Sequence, residues 1–163
     1  MANQNILPIY KNVYGGEEFN YGNFDHRLKM QKAVYLLTEM GVPVGNYGFR
    51  WYLHGPYSQD LHDDMYDMCC VSSRDDSEVE ILAEYDKRLG RLRDVISFEV
   101  KDRYSDSNWM ECIASIHYLR NNILPYNATM EQVLNELESR KKHLKRRNIN
   151  EIAFEKAEAL FEL

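Results

Sequence analysis

A chain of 163 residues with 44% hydrophobic and 12% aromatic side chains carries enough apolar matter for one domain with one buried core, which excludes global disorder. Its formal net charge of −6 argues against a broad nucleic-acid-binding surface, because phosphate binding needs concentrated Lys and Arg. The 3 cysteines, with Cys69 and Cys70 adjacent and Cys112 distant, make no disulfide framework. No apolar run approaches the ~20 residues that cross a bilayer, and Met1-Ala2-Asn3-Gln4-Asn5 does not start a secretory signal. The expectation is a soluble cytoplasmic protein without membrane contact.

Residues 1–23 are Gly- and Asn-rich and read as an irregular arm, with Ile6, Ile9 and Tyr10 as its packing side chains. The rest, 24–163, reads as one helical domain. Asp25 is placed to cap a helix running to about Met40, ended by Gly41 with Pro43 beyond. Leu28, Lys32 and Tyr35 share one stripe, and Val34, Leu37 and Met40 another, which predicts a mostly buried helix. Aromatic and Gly-rich residues 44–53 predict a short extended segment, with a strand or hairpin near 47–53. Ser58 caps a helix to about Cys70, with Asp60 in its first turn and Leu61, Met65, Met68 and Cys69 as its apolar stripe.

A polar break at 72–77 precedes a helix carrying Val79, Leu82, Tyr85, Leu89, Leu92 and Ile96, which Gly90 is placed to divide. Residues 99–108 read as a loop. The next helix turns Trp109, Cys112, Ile113, Ile116, Leu119 and Ile123 inward and stops before Pro125. Thr129 and Gln132 make a capping box for a helix with Val133, Leu134, Leu137 and Leu144 apolar, and a last helix starts near Asn150. The sum is a mainly α, single compact domain of about six or seven helices, with Val34, Leu37, Trp51, Leu61, Trp109, Ile113, Ile116 and Leu134 in its core.

The densest local signal runs from Phe49 to Leu61: an aromatic β-prone stretch, a Gly55-Pro56 turn and a helix start. It has two readings. In the first, Gly55 and Pro56 set a turn, Ser58 caps, and Trp51, Tyr52 and Tyr57 simply pack. In the second, Arg50, Trp51, Tyr52, His54, Tyr57, Ser58 and Asp60 form a surface where a partner protein docks, or a small pocket at a helix N-terminus. His54 and Ser58 lack an oxyanion loop and an orienting third residue, so no catalytic set is expected. His54, His62, Asp63, Asp64 and Asp67, with Cys69 and Cys70 beyond, match no metal-ligand spacing and read as a solvated acidic helix face, so neither a metal nor another cofactor is expected.

The one strong basic run, 141–147, falls at an expected helix C-terminus, where cations favour the dipole. Lys141, Lys142, Lys145, Arg146 and Arg147 are the alternative site: a patch on nucleic-acid phosphate. No interleaved aromatics of the base-stacking kind accompany it.

Two segments in this order and spacing, Arg27-Leu28-Lys29-Met30-Gln31-Lys32-Ala33-Val34-Tyr35-Leu36-Leu37 and Phe49-Arg50-Trp51-Tyr52-Leu53-His54-Gly55-Pro56-Tyr57-Ser58-Gln59-Asp60-Leu61, resemble the YwgA-like, Panacea (GepA-type) domains of bacteria and phages. The stretch Trp109-Met110-Glu111-Cys112-Ile113-Ala114-Ser115-Ile116-His117-Tyr118-Leu119 looks like a further helix of that family, and Thr129-Met130-Glu131-Gln132-Val133 like its next helix start. Tyr57-Ser58 after the proline, and a long charged helix at 77–96, bring the chain nearer the YwgA-like branch. The resemblance implies a small, mainly helical, phage- or mobile-element-associated domain. Several Panacea-type members, the SocA-like antitoxins among them, neutralise a toxin by direct contact. The expected function is therefore a non-enzymatic protein-binding module, antitoxin-like or phage-associated. A nucleic-acid-binding regulator is the first alternative and a small-molecule-binding protein the second.

Overall fold

The computed structural model describes residues 3, 5–69 and 83–162. Cys70, the polar break at 72–77 and the Val79–Leu82 part of the next helix lie outside them. The described residues are mainly helical: α1 (Ile6–Val13), α2 (Phe24–Glu39), α3 (Gln59–Met68), α4 (Asp86–Ile96), α5 (Asp106–Tyr118), a π-helical turn (Leu119–Ile123), α6 (Met130–Arg140) and α7 (Arg147–Ala159). One antiparallel hairpin, β1 (Arg50–Tyr52) and β2 (Gly55–Tyr57), pairs Arg50 with Tyr57, Trp51 with Pro56 and Tyr52 with Gly55. Among the described residues no helix is long and apolar enough to cross a membrane.

The expected irregular arm is in part a helix. Ile6, Ile9, Tyr10 and Val13 sit at helical spacing and are all buried, while Pro8 falls in the first turn, where its missing N–H costs nothing. The Gly- and Asn-rich stretch beyond Val13 hides this helix from a reading of composition.

Helix α2 is the axle of the domain. Every residue from Leu28 to Leu37 is buried, and the helix packs on α1, α3, α4, α5 and β2. Its cap is Asn23 rather than Asp25: the Asn23 side chain accepts from the N–H of Asp25 at 2.9 Å and of His26 at 3.3 Å. Asp25 instead sits in the first turn and accepts from Ser107 Oγ at 3.1 Å. Beyond α2, Gly41 takes φ +84°, the left-handed step that ends helices.

Helix α5 is the second axis. Trp109, Met110, Cys112, Ile113 and Ile116 are buried, and Trp109 Nε1 donates to Val95 O at 2.9 Å. Burial pushes the Cys112 thiol well up, so it is a core side chain rather than a nucleophile. The helix continues as the π turn, where Leu124 N–H bonds Leu119 O at 2.8 Å. The extra residue in that turn shifts the helical phase, so Ile123, expected inward, is 37% exposed.

Further differences have local causes. Gly90 lies inside α4, and the chain turns at Tyr85 instead. The capping box forms, with Gln132 N–H donating to Thr129 Oγ1 at 3.2 Å and Thr129 N–H to Gln132 Oε1 at 2.8 Å, but α6 stops at Arg140 and the buried Leu144 lies in the loop beyond. Val34, Leu37, Leu61, Trp109, Ile113, Ile116 and Leu134 are core as expected. Trp51 is only half-buried, its ring under the Lys141 ammonium at 4.8 Å and the Arg140 guanidinium at 5.3 Å.

Candidate functional site

The hairpin is built by its own turn and then tied to three other segments. Among the described residues the sole non-Gly positive φ belongs to Asp102, so Leu53 and His54 make no mirror-image turn, and Gly55 at φ +89° supplies the left-handed step. A Cβ at Gly55 would also collide with Ser115 Oγ on α5. Below the turn, Lys32 Nζ donates to Pro56 O at 2.7 Å. Gln31 Nε2 donates to Ser58 O at 2.8 Å, and Ser58 N–H donates to Gln31 Oε1 at 2.9 Å. Lys141 Nζ donates to the carbonyls of Leu53 and Tyr52. Burial pushes the Lys32 ammonium down to about 7, against the opposing pull of Glu111.

Around the hairpin lies a run of aromatic rings open to solvent. Tyr52 and Tyr57 have centroids 5.2 Å apart, Tyr57 and His62 6.3 Å, Tyr21 and His62 5.7 Å, and Tyr21 and Tyr66 5.5 Å. Phe24 packs edge-on against His54 at 5.2 Å, and the Arg27 guanidinium bridges the Tyr21 and Phe24 rings. Exposure is 51% for Phe24, 56% for Tyr52, 72% for Leu53 and 59% for Tyr66. Between Phe24, Leu28, Leu53, Tyr57 and Met65 opens a cavity of about 260 Å³. Arg50, Tyr52, Gln59 and Asp60 line a second cavity of about 380 Å³.

Under the hairpin sits a charged cluster. Glu111 on α5 is fully buried; its Oε2 lies 2.9 Å from His143 Nε2 and 3.6 Å from Lys141 Nζ. Its Oε1 lies 3.4 Å from His54 Nδ1 but has no hydrogen-bond partner, and neither has the nearby buried Ser115 Oγ. Among the described residues, His54, Glu111 and His143 are the set of His, Cys, Asp or Glu side chains close enough together to hold a metal ion.

Of the hairpin residues named from sequence, Tyr52 is exposed, His54 and Tyr57 half-buried, and Arg50 and Asp60 exposed at the rim. Ser58 is 1% exposed; its hydroxyl accepts from Leu61 N–H at 3.2 Å, so it is a cap with no surface to offer. The basic run starts at the C-cap of α6, Lys141, crosses the loop beyond and ends at Arg147, the first residue of α7; Lys141 is 3% exposed, Arg147 pairs with Glu138 at 2.8 Å, and Lys142, Lys145 and Arg146 face solvent. His62 is held by Tyr21 OH at 3.0 Å and Asp64 by Tyr47 OH at 2.6 Å, so these two side chains have structural work, while Asp63 and Asp67 are exposed on the expected solvated face. Phe24 belongs to the site without any sequence motif that marks it, while Leu53 and Glu111 lie inside the segments that carry the resemblance but are not among the site residues expected from sequence. For Glu111 the available signal is a single charged residue inside the apolar run Trp109, Cys112, Ile113, Ile116.

In comparisons with known proteins, no family model, no curated protein and no solved structure matches this chain.

Proposed function

We propose that this protein is a non-enzymatic protein-binding module of the YwgA-like, Panacea type, antitoxin-like or phage-associated, and that it grips its partner through the hairpin tip and the groove beside it. The observation that carries this reading is the set of exposed large apolar side chains Phe24, Tyr52 and Leu53 around a cavity of about 260 Å³, with exposed Tyr66 joined to the same aromatic run through Tyr21. Scattered apolar surface residues are ordinary; a clustered set beside a cavity marks a binding surface. The aromatic members combine large contact area with few rotatable bonds, as anchor residues do. Arg27, His54, His62, Arg50 and Asp60 supply a polar rim. The partner's complement is an apolar or aromatic side chain seated in the groove, such as a toxin or another phage or host protein would present.

Co-expression pull-down with the product of the adjacent reading frame tests the reading. Leu53→Asp and Tyr52→Ser touch little of the core, so both variants should fold and lose the partner; Tyr57→Ala and His54→Ala should weaken it. Folded variants that all retain the partner would remove this surface from the proposal. A neighbouring product that is neither toxic nor bound would remove the antitoxin reading.

The nucleic-acid alternative has Lys142, Lys145 and Arg146 in support, since these members of the basic run are exposed, whereas Lys141 is buried and Arg147 is ion-paired. Three exposed cations on a chain of net charge −6 favour it less than the aromatic face favours a protein partner.

A further inference from the structure

We propose that His54, Glu111 and His143 bind a divalent first-row transition-metal ion, with Zn²⁺ best matched to two imidazoles and one carboxylate. One ligand atom from each residue lies within 4.8 Å of the others. They come from the hairpin turn, from α5 and from the loop between α6 and α7, three segments far apart in the chain. An ion held by them would clamp the hairpin and the basic loop to the central helix.

The second observation is the state of Glu111 itself. The side chain is fully buried, and Oε1, which lies toward His54 Nδ1 at 3.4 Å, has no hydrogen-bond partner. A buried carboxylate oxygen without a donor is costly, and a cation beside it removes that cost. Lys141 and His143 both approach the other oxygen, Oε2, at 3.6 Å and 2.9 Å. The Lys141 ammonium is further committed to the Leu53 and Tyr52 carbonyls. Oε1 therefore remains for a cation.

The donor set selects the metal. Ca²⁺ and Mg²⁺ take oxygen ligands, whereas imidazole suits zinc and its first-row neighbours. The side chains of His54 and His143 are 45% and 42% exposed, so the solvent side stays open for a water as a further ligand. The competing account is that Lys141 and the two imidazoles are only the counter-charges of a structural carboxylate, and the experiment separates the two. The proposal shares His54 with the docking surface, but it is tested without any partner.

Metal-stripped protein is titrated with Zn²⁺ by calorimetry and with Co²⁺ by visible absorption. We expect saturable binding at one ion per chain, cobalt bands typical of nitrogen and oxygen coordination, and a thermal midpoint that rises with zinc concentration. Loss of an outer-shell partner alone costs about 10–100-fold in metal affinity. Loss of a direct ligand in His54→Ala or His143→Ala should therefore cost at least about 100-fold. Glu111→Gln should abolish binding; because that variant changes a buried group, the two half-exposed histidines carry the test if it does not fold. Absence of saturable zinc binding by the folded wild type, or undiminished affinity in both histidine variants, overturns the proposal and leaves Glu111 as a structural carboxylate.

Discussion

Gln31 and Ser58, 27 residues apart in the chain, are joined by two hydrogen bonds: the Gln31 amide accepts from Ser58 N–H and donates to Ser58 C=O, both bonds buried. This pair fastens the base of the hairpin and the start of α3 to the central helix. Lys32, the next residue, takes the Pro56 carbonyl at 2.7 Å. The two sequence motifs are thus halves of one hydrogen-bonded joint, which explains why those residue types are needed at those places whatever the outer face binds.

Gln31→Ala leaves the buried Ser58 N–H without a partner, while the Ser58 carbonyl keeps the bond it accepts from His62 N–H at 3.1 Å. One such group costs about 1–3 kcal/mol, so the variant should lose about 1–3 kcal/mol of stability. Chemical denaturation of wild type and variant measures it. A loss below about 1 kcal/mol would mean that water replaces the amide and that the joint is not dry.

Gly55→Ala meets two penalties at once. The left-handed φ of +89° strains any residue with a Cβ, and that Cβ would run into Ser115 Oγ on α5. The expected cost is at least about 2 kcal/mol. Ser115→Ala in the same chain should return part of it, since it removes the colliding atom and leaves only the backbone strain. Full additivity of the two changes in a double-mutant cycle would show that the contact is not the cause.

How much of the molecule is legible in the sequence depends on the range of each interaction. Ser58 as a cap, the Thr129–Gln132 box and the stripe of α3 are local, set within one helical turn, and can be read directly. Asn23 and Asp25 are both good caps two residues apart, and only the backbone geometry of the folded chain chooses Asn23. Residues 6–13 are obscured by the glycines beside them. The joint of Gln31 with Ser58 and the meeting of His54, Glu111 and His143 depend on tertiary packing, so no spacing announces them. The exposed ring of Tyr52 and the half-buried ring of Trp51 are neighbours in one strand; alternation tells that they face opposite ways, but not which way is out.

His117 gives the protein an acid-labile point. Burial, reinforced by the Arg120 guanidinium, pushes its imidazole down to about 4 from 6.5. Tyr35 OH lies 2.7 Å from Nδ1, Phe161 stacks on the ring with centroids 4.4 Å apart, and Glu39, Arg120, Glu158 and Glu162 line a cavity with it, away from the hairpin. Between those pH values the unfolded chain binds a proton that the folded chain refuses. Stability therefore falls as pH drops from about 6.5 to about 4, by at most about 1.4 kcal/mol per pH unit. Burial raises the Glu39 carboxyl, which acts with the opposite sign, so the difference between wild type and His117→Gln isolates the imidazole. Urea unfolding across this range should show a steeper decline for wild type; parallel curves would refute the assignment.

The basic run should divide by burial rather than by charge. Lys141 is 3% exposed and lies between the Glu111 carboxylate and two hairpin carbonyls. Lys141→Met strips a buried carboxylate of a counter-charge and unties the turn, and a loss of about 3 kcal/mol is expected by comparison with other broken buried pairs. Arg147 bonds Glu138 through Nε at 2.8 Å and Nη2 at 3.2 Å, but the pair is partly solvated, so Arg147→Met should cost no more than about 1 kcal/mol. Lys142→Met and Lys145→Met alter exposed ammonium groups and should stay within about 0.5 kcal/mol. The same variants address nucleic acid. If the loop holds phosphate, Lys142→Met and Lys145→Met, which leave the fold intact, must each weaken retention on DNA and flatten its salt dependence. Equal stability losses along the run would show instead that Lys141 has no special place, and that the hairpin does not depend on its anchorage beside Glu111.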